Sequence, residues 1–225
     1  MKFAAQQDVH DIGPLELAYA HMATAAGIKM PETQLLPSRI GSGYFAALRF
    51  DRPTASRLHT LTAAGLLHID YRMPTLDYVD LAKATVRLTK DYAQSEALYR
   101  RMVFNVLAYN RDDHAKQFSF LMNRQGQWTL SPAYDLTFSH GMGGEHMTSI
   151  AGKGKRILSA DMAKVADAAV VKATKAAEIE EQVRDATSRW RQFAAEAGAT
   201  GKTAAVVEAM LREVSAEGGG EGGLR

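Results

Sequence analysis

Two short stretches hold most of the side chains in this chain that could do chemistry together. They are Asn110-Arg111-Asp112-Asp113-His114-Ala115-Lys116-Gln117 and, beyond a short hairpin, Ser131-Pro132-Ala133-Tyr134-Asp135. Transfer of a phosphoryl group to a hydroxyl needs a carboxylate to position the attacking oxygen. It also needs an amide and a second carboxylate to hold Mg²⁺ against the triphosphate. The base and the metal-binding amide then stand as D-x-x-x-x-N, with the second metal-binding Asp beyond a β-hairpin. Asp112 and Gln117 have that spacing. Residues 118–122 and 127–130 read as strands joined by Asn123-Arg124-Gln125-Gly126, and Asp135 follows them.

Acidic residues beside a histidine also serve as N-caps and turn residues, so spacing alone leaves a purely structural reading open. The wider pattern narrows it. Residues 112–119 together with 131–136 resemble the HipA family of toxin kinases, whose pattern runs D-x-H-x-K-N-F-S, hairpin, P-x-Y-D-L. The resemblance implies ATP and Mg²⁺ as cofactors and a serine or threonine hydroxyl of a protein as acceptor. It makes Asp112 the base that orients and deprotonates that hydroxyl, puts His114 and Lys116 beside the phosphates, and gives Asp135 to Mg²⁺ with Tyr134 shaping its turn. Gln117 is the departure, because the family carries Asn there. Glutamine is longer by about 1.5 Å, while Mg²⁺ demands near-octahedral geometry at roughly 2.0–2.1 Å. Asp113 is assigned to the loop and not to the chemistry.

The same resemblance extends to the beginning of the chain. In the family a strand ending in a Lys-Phe-Pro-like sequence supplies the lysine that meets the ATP phosphates, and Lys2 stands in that place. A glycine-rich segment that covers the phosphates is then expected upstream of residue 1. Glu16, in the first turn of a helix, is the candidate ion-pair partner of Lys2, although an acidic residue there is also favoured by the helix dipole. Leu48-Arg49-Phe50-Asp51-Arg52 resembles the family's E-R-F-D-R hinge, where backbone groups meet adenine. As partners the resemblance implies a protein substrate, in known lines an aminoacyl-tRNA synthetase, and a helix-turn-helix antitoxin.

The elements that must position these residues follow from periodicity. Pro14 in a first turn, Gly27 at a left-handed stop, and Leu15, Tyr19, Met22 and Ala26 on one face predict a helix over 14–26. Residues 32–37 and 44–50 read as strands around the turn Ile40-Gly41-Ser42-Gly43. Beyond Pro53 the character turns helical, with His59 and His68 as structural residues. A helix is expected over 75–90. Asp91 with Gln94 resembles a capping box for the next helix, whose Leu98, Met102 and Val106 deliver the chain to Asn110. Residues 137–156 read as a solvated loop. Its Gly152-Lys153-Gly154-Lys155 lacks the spacing of a phosphate-binding loop. Helices are expected over 159–171, 173–197 and 202–214, with Ile179, Val183, Ala186, Trp190 and Ala194 facing the interior and Gly198 as a stop.

The expected architecture is α+β and predominantly helical, a HipA/protein-kinase-like fold. Residues 1–52 form a partial small lobe, 53–216 a helical larger lobe, and 217–225 a flexible glycine-rich tail. The chain's 225 residues suffice for a sizeable core. With 27 basic and 25 acidic residues its net charge near +2 is too balanced to indicate a nucleic-acid site. It has no cysteine, which excludes disulfides and thiolate metal sites. No apolar run is long enough to span a membrane and no signal peptide opens the chain, so a cytoplasmic location is expected. Two alternatives carry weight. One is a small-molecule phosphotransferase, for which the usual H-G-D before the base is missing. The other is a degenerate kinase lobe that binds a partner without turnover. A metal-dependent nuclease using Asp112, Asp113, His114 and Asp135 is a remote third.

Overall fold

Helix α1 (Ile12–Ala25) is the element around which the first part of the chain is arranged, and almost every residue from Gly13 to Ala23 is buried. Its composition explains this, since Leu, Ala, Met and Tyr surround it on nearly all sides and leave no polar face. Gly13 lies so close to the next turn that a Cβ would stand 2.4 Å from the Gly43 carbonyl oxygen. The computed structural model describes residues 1–2, 10–39, 41–53 and 56–218. The readings that involve Phe3, Ile40 and residues 219–225 lie outside the described residues, while Glu217 and Gly218, expected in the flexible tail, are the end of the last helix.

After α1 come β1 (Thr33–Leu36) and β2 (Tyr44–Ala47), an antiparallel pair in which Leu35 faces Phe45. Lys2 lies alongside β2, its N–H donating to Phe45 O at 2.8 Å. Next follow β3 (His59–Thr62) and the short helix α2 (Ala63–Leu66), capped by the Thr62 hydroxyl. The sequence beyond Pro53 predicts helical character here. The β-branched Thr60 and Thr62 and the pairing offered by a distant strand override it. The two residues of β4 (Leu76–Asp77) then lead into α3 (Tyr78–Thr89). This helix starts later than its periodicity predicts, because Asp77 caps it through Val79 N–H and residues 76–77 are taken into a parallel pairing.

Helix α4 (Tyr92–Leu107) is buried along most of its length. Asp91 caps it through Ala93 N–H. The expected reciprocal box does not form, since Gln94 donates to the Asp91 carboxylate while its oxygen accepts from Leu130 N–H. The hairpin of β5 (Ser119–Met122) and β6 (Trp128–Leu130) follows, and β3 pairs along its free side to give the order β3-β5-β6. Asn123 closes the hairpin turn by accepting from Gln125 and Gln127 N–H.

The segment 137–156 is not a solvated loop throughout. It contains β7 (Thr148–Ser149), which pairs with β4, and its His146, Met147, Thr148 and Ile150 are buried. The remaining helices are α5 (Ser159–Ala168), α6 (Ala173–Ser188), α7 (Trp190–Ala197) and α8 (Gly201–Gly218). The long helix expected over 173–197 breaks at Arg189 into α6 and α7. The Thr187 and Ser188 hydroxyls accompany the break by bonding back to the carbonyls of Arg184 and Asp185, the local competition by which such residues weaken a helix. Ile179, Val183, Ala186, Trp190 and Ala194 are all buried. Trp190 packs on Tyr19 of α1 with ring centroids 5.3 Å apart and donates its indole N–H to Ala204 O. Among the described residues no helix is long and apolar enough to cross a membrane.

Candidate active site

The loop that carries Asp112 begins where α4 stops. Tyr109 turns the chain with φ of 55°, in the left-handed region, and Asn110 folds back so that its side-chain amide donates to Asn105 Oδ1. Asn105 in turn donates to the Tyr78 hydroxyl, which donates to Asp113 at 2.8 Å. A chain of buried polar contacts thus runs from α4 through α3 into the loop. Asp113 is fully buried. Its carboxylate also accepts from His146 Nδ1, Met147 N–H and Thr148 N–H, at 2.9, 2.9 and 3.2 Å. Four donors on one buried carboxylate are what such a charge requires. They pin the residue next to Asp112 to the end of β7.

Asp112 itself is exposed. Burial of its surroundings pushes its carboxyl upward, the His114 imidazole opposes this, and the Asp135 and Asp113 charges add to it, for a net rise. Asp135 closes the second stretch with φ of 59°, a left-handed conformation that is uncommon for a residue with a side chain. Such outliers cluster at functional sites because the surrounding structure must over-determine them. Tyr134 helps to do so. Its hydroxyl donates to Lys116 O and contacts Ser119 Oγ, and its ring lies against Phe50 at 5.5 Å.

Lys2 stands between two carboxylates. Its ammonium donates to Glu16 Oε1 at 2.9 Å and to Asp135 Oδ1. Burial pulls the Lys2 pKa down, but Asp135 and Glu16 outweigh it and the net shift is upward. Burial alone would raise the Asp135 carboxyl, and Lys2 with the Gln117 amide reverses this to a net fall. Gln117 is buried and presents its nitrogen, not its oxygen, to Asp135 Oδ2 at 2.6 Å.

Two connected hollows share Lys2, Glu16, Phe45 and Asp135. One of about 220 Å³ has an apolar lining that includes Met30, Ala47, Tyr134 and Leu136. The other, of about 360 Å³, adds Asp112, Thr137, Phe138 and Ser139. Lys2, Asp112 and Asp135 therefore line one cleft. Other residues singled out from the sequence lie apart from it. Leu48 is 67% exposed and its N–H is engaged by Glu32 O. Arg49 points to Asp51. Neither lines the two hollows, and Phe50 reaches them only through Tyr134. Lys116 sits with its ammonium 3.4 Å from the centroid of the Tyr71 ring, a cation–π contact, and the His114 ring meets the same tyrosine edge-on. Tyr71 and Tyr78 have no local signal in the sequence, since each acts on the loop from more than thirty residues away. Lys153 and Lys155 are paired with Asp161 and Glu145.

Among the described residues no three His, Asp or Glu side chains form a ready-made metal cluster. The oxygens at hand are two carboxylates and one amide, hard donors of the kind Mg²⁺ takes together with phosphate oxygens and water. The residues fit that ion in chemistry. Its arrival would need the Gln117 amide to turn over and Lys2 to give up Asp135.

The family described as HipA-like C-terminal domain matches residues 1–216. The chain belongs to this family. It is also 29% identical over 134 residues to a Sinorhizobium fredii protein named "Putative kinase Y4dM", an alignment covering 54% of this chain and 32% of that protein. Among solved structures, the Shewanella oneidensis HipA, determined with HipB and operator DNA, superposes with a TM-score of 0.75 at 15% identity, over 96% of this chain and 56% of that one. The Helicobacter pylori proinflammatory kinase CtkA superposes with a TM-score of 0.51 at 11% identity, over 92% and 90% of the two chains. The α+β, predominantly helical architecture of this HipA-like domain is thus that of the HipA and CtkA kinase folds. The chain spans about a third of the curated relative and a little over half of the Shewanella chain.

Proposed function

We propose that this HipA-like domain transfers the γ-phosphoryl group of ATP to a serine or threonine hydroxyl of a protein. The observation that carries this reading is the placement of Lys2 between Glu16 and Asp135, in one cleft with Asp112. In kinase-type sites a lysine held by a glutamate meets the phosphates, one Asp holds metal and another orients the acceptor. Bound ATP·Mg²⁺ would supply the activated phosphoryl group and the charge that offsets its transfer. The chain's own residues do the rest. Lys2 would meet phosphate oxygens while remaining on Glu16. Asp135 and the Gln117 amide oxygen would hold the metal. Asp112 would accept the proton of the acceptor hydroxyl. Met30, Ala47 and Leu136 would take the base. In this reading residues 1–52 act as a small lobe and 53–216 as the larger one.

The HipA neighbour, solved with HipB and DNA, supports a place in a toxin–antitoxin pair with a DNA-binding antitoxin as partner. An aminoacyl-tRNA synthetase is the substrate class that the family resemblance suggests, and a cytoplasmic site of action goes with it.

A second reading, a binding module without turnover, is favoured by one observation. Both Asp135 oxygens are already held, one by Lys2 and one by the nitrogen of Gln117. Calorimetry of ATP·Mg²⁺ binding, followed by labelled-phosphate transfer to bacterial lysate protein, separates the two. Binding lost in Asp135→Asn, with transfer lost in Asp112→Asn, supports the kinase. Absence of both binding and transfer supports the module.

A further inference from the structure

On the other side of the segment that leads to Asp135 lies a hollow of about 240 Å³ that none of the chemistry above uses. Lys29, Arg100 and Arg101 all line it, and no Asp or Glu does. Arg101 is 3% exposed. Only its Nη2 is satisfied, by the Ser131 carbonyl at 2.8 Å, while Nε and Nη1 are buried with no hydrogen-bond partner among the described residues. Burial pulls this guanidinium down to about 10, with no carboxylate to hold it up. Arg100 bonds to two neutral oxygens, Ala26 O and Gln182 Oε1. Lys29 has no ion pair among the described residues. Room for the Arg100 head is kept by Gly27, where a Cβ would come within 3.1 Å of Nη1.

A buried guanidinium short of partners is costly, and proteins compensate such charges by pairing them. Here three cations line one hollow that has no carboxylate in its lining; Arg100 feels the nearby carboxylates of Glu178 and Glu96, and Arg101 feels none. We propose that this hollow is a binding site for a phosphate-sized oxyanion, held by Arg101, Arg100 and Lys29. Guanidinium groups match tetrahedral oxyanions through paired N–H donors, and the lysine adds a point charge at the rim. The site touches the catalytic segment directly. Arg101 holds the Ser131 carbonyl and the Lys29 carbonyl accepts from Ala133 N–H, both within four residues of Asp135. An anion seated there braces the turn that presents Asp135, independently of the nucleotide cleft.

The test is thermal unfolding of the full chain against inorganic phosphate at constant ionic strength, since a ligand that binds only the folded state raises the midpoint in a saturable way. The expected result is a rise of several degrees in the parent and in Lys2→Met, lost in Lys29→Ala and in Arg101→Met. Arg100→Gln takes the place of Arg101→Met should that buried change fail to fold. No saturable rise in the parent overturns the proposal. So does a rise that survives in the folded Lys29→Ala and Arg variants. A rise abolished by Lys2→Met places the phosphate in the nucleotide cleft and overturns it as well. Phenyl phosphate run beside inorganic phosphate separates the sources, an equal response pointing to a phosphate ester and a response to the inorganic ion alone to free phosphate. Because Lys2→Met disables the proposed kinase cleft and not this hollow, failure of either reading leaves the other standing.

Discussion

At the scale of single residues the cleft turns on three side chains with different tasks. Asp112 has a raised pKa, so its base form is lost as pH falls at values above the ordinary carboxylate range. The rate of phosphoryl transfer should therefore show an acid limb displaced upward from 3.8, the ordinary value for Asp. Asp112→Asn should cost about 10²–10⁴ in rate, with the unfolding temperature unchanged or slightly higher, since an unfavourable charge is removed. In the proposed kinase, Gln117 would set how well Mg²⁺ is held. Gln117→Asn should lower the Mg²⁺ concentration needed for half-maximal activity and raise the rate by up to about 10²-fold, because a misplacement near 1 Å costs that much. An unchanged Mg²⁺ titration would show that the longer amide already reaches.

Lys2 links the two carboxylates, and its pairings give opposite pH dependences. Asp135 is depressed, so its stabilising contribution is present above its unfolded value of 3.8 and is lost as pH falls through the lower folded value. Lys2 is raised, so its contribution is present below 10.5 and is lost as pH rises through the higher folded value. Lys2→Met should flatten the stability curve at both ends, as measured by urea midpoints from strongly acidic to strongly alkaline buffer. A curve identical to that of the parent would mean that the lysine is not held by these carboxylates in solution.

At the scale of elements, the loop is precise because it is tied to parts far away in the chain. The hairpin β5–β6 and helix α4 were legible from alternation and from the 3.6-residue period. The tie through Asp113 was not. That residue looks like one more acid in a polar loop, yet it gathers Tyr78 from α3 and His146, Met147 and Thr148 from the segment around β7. Asp113→Ala strands these buried donors and should cost about 3 kcal/mol of stability in urea unfolding, given the penalty for unsatisfied buried groups. Activity should fall with it as Asp112 loses its anchor. A loss under about 0.5 kcal/mol would mean that the hub contributes little. The strand β3 and the break between α6 and α7 escaped sequence reading for related reasons. A four-residue strand is specified by the partner it finds, and a helix interrupted by one residue keeps its apolar stripe across the break.

For the whole molecule, helix α1 and Trp190 connect the cleft to the helical body. Glu16, which holds Lys2, is on the same helix as Tyr19, which packs against Trp190. Trp190→Ala opens a large void and should cost about 3–5 kcal/mol, read as a lower urea midpoint. Weaker ATP·Mg²⁺ binding should accompany it through displacement of Glu16. Full retention of nucleotide affinity in a folded Trp190→Ala variant would show that the cleft does not depend on this packing.

The features whose information is local could be read from the order of residues. The order Asp112, Gln117, hairpin, Asp135 is a matter of spacing. The faces of α4 and α6 are a matter of period, whereas α1 is buried nearly all round. The HipA-like resemblance rests on residues adjacent in the chain. Which groups meet across long separations emerged with the folded chain alone. The fold set Lys2 between Glu16 and Asp135, turned the nitrogen of Gln117 toward Asp135, laid Lys116 on Tyr71, and left Arg101 buried with two unpaired donors. The physical reason is that a side chain's partners across dozens of residues are selected by packing and by the need to satisfy buried charge, and neither leaves a trace in the neighbouring letters.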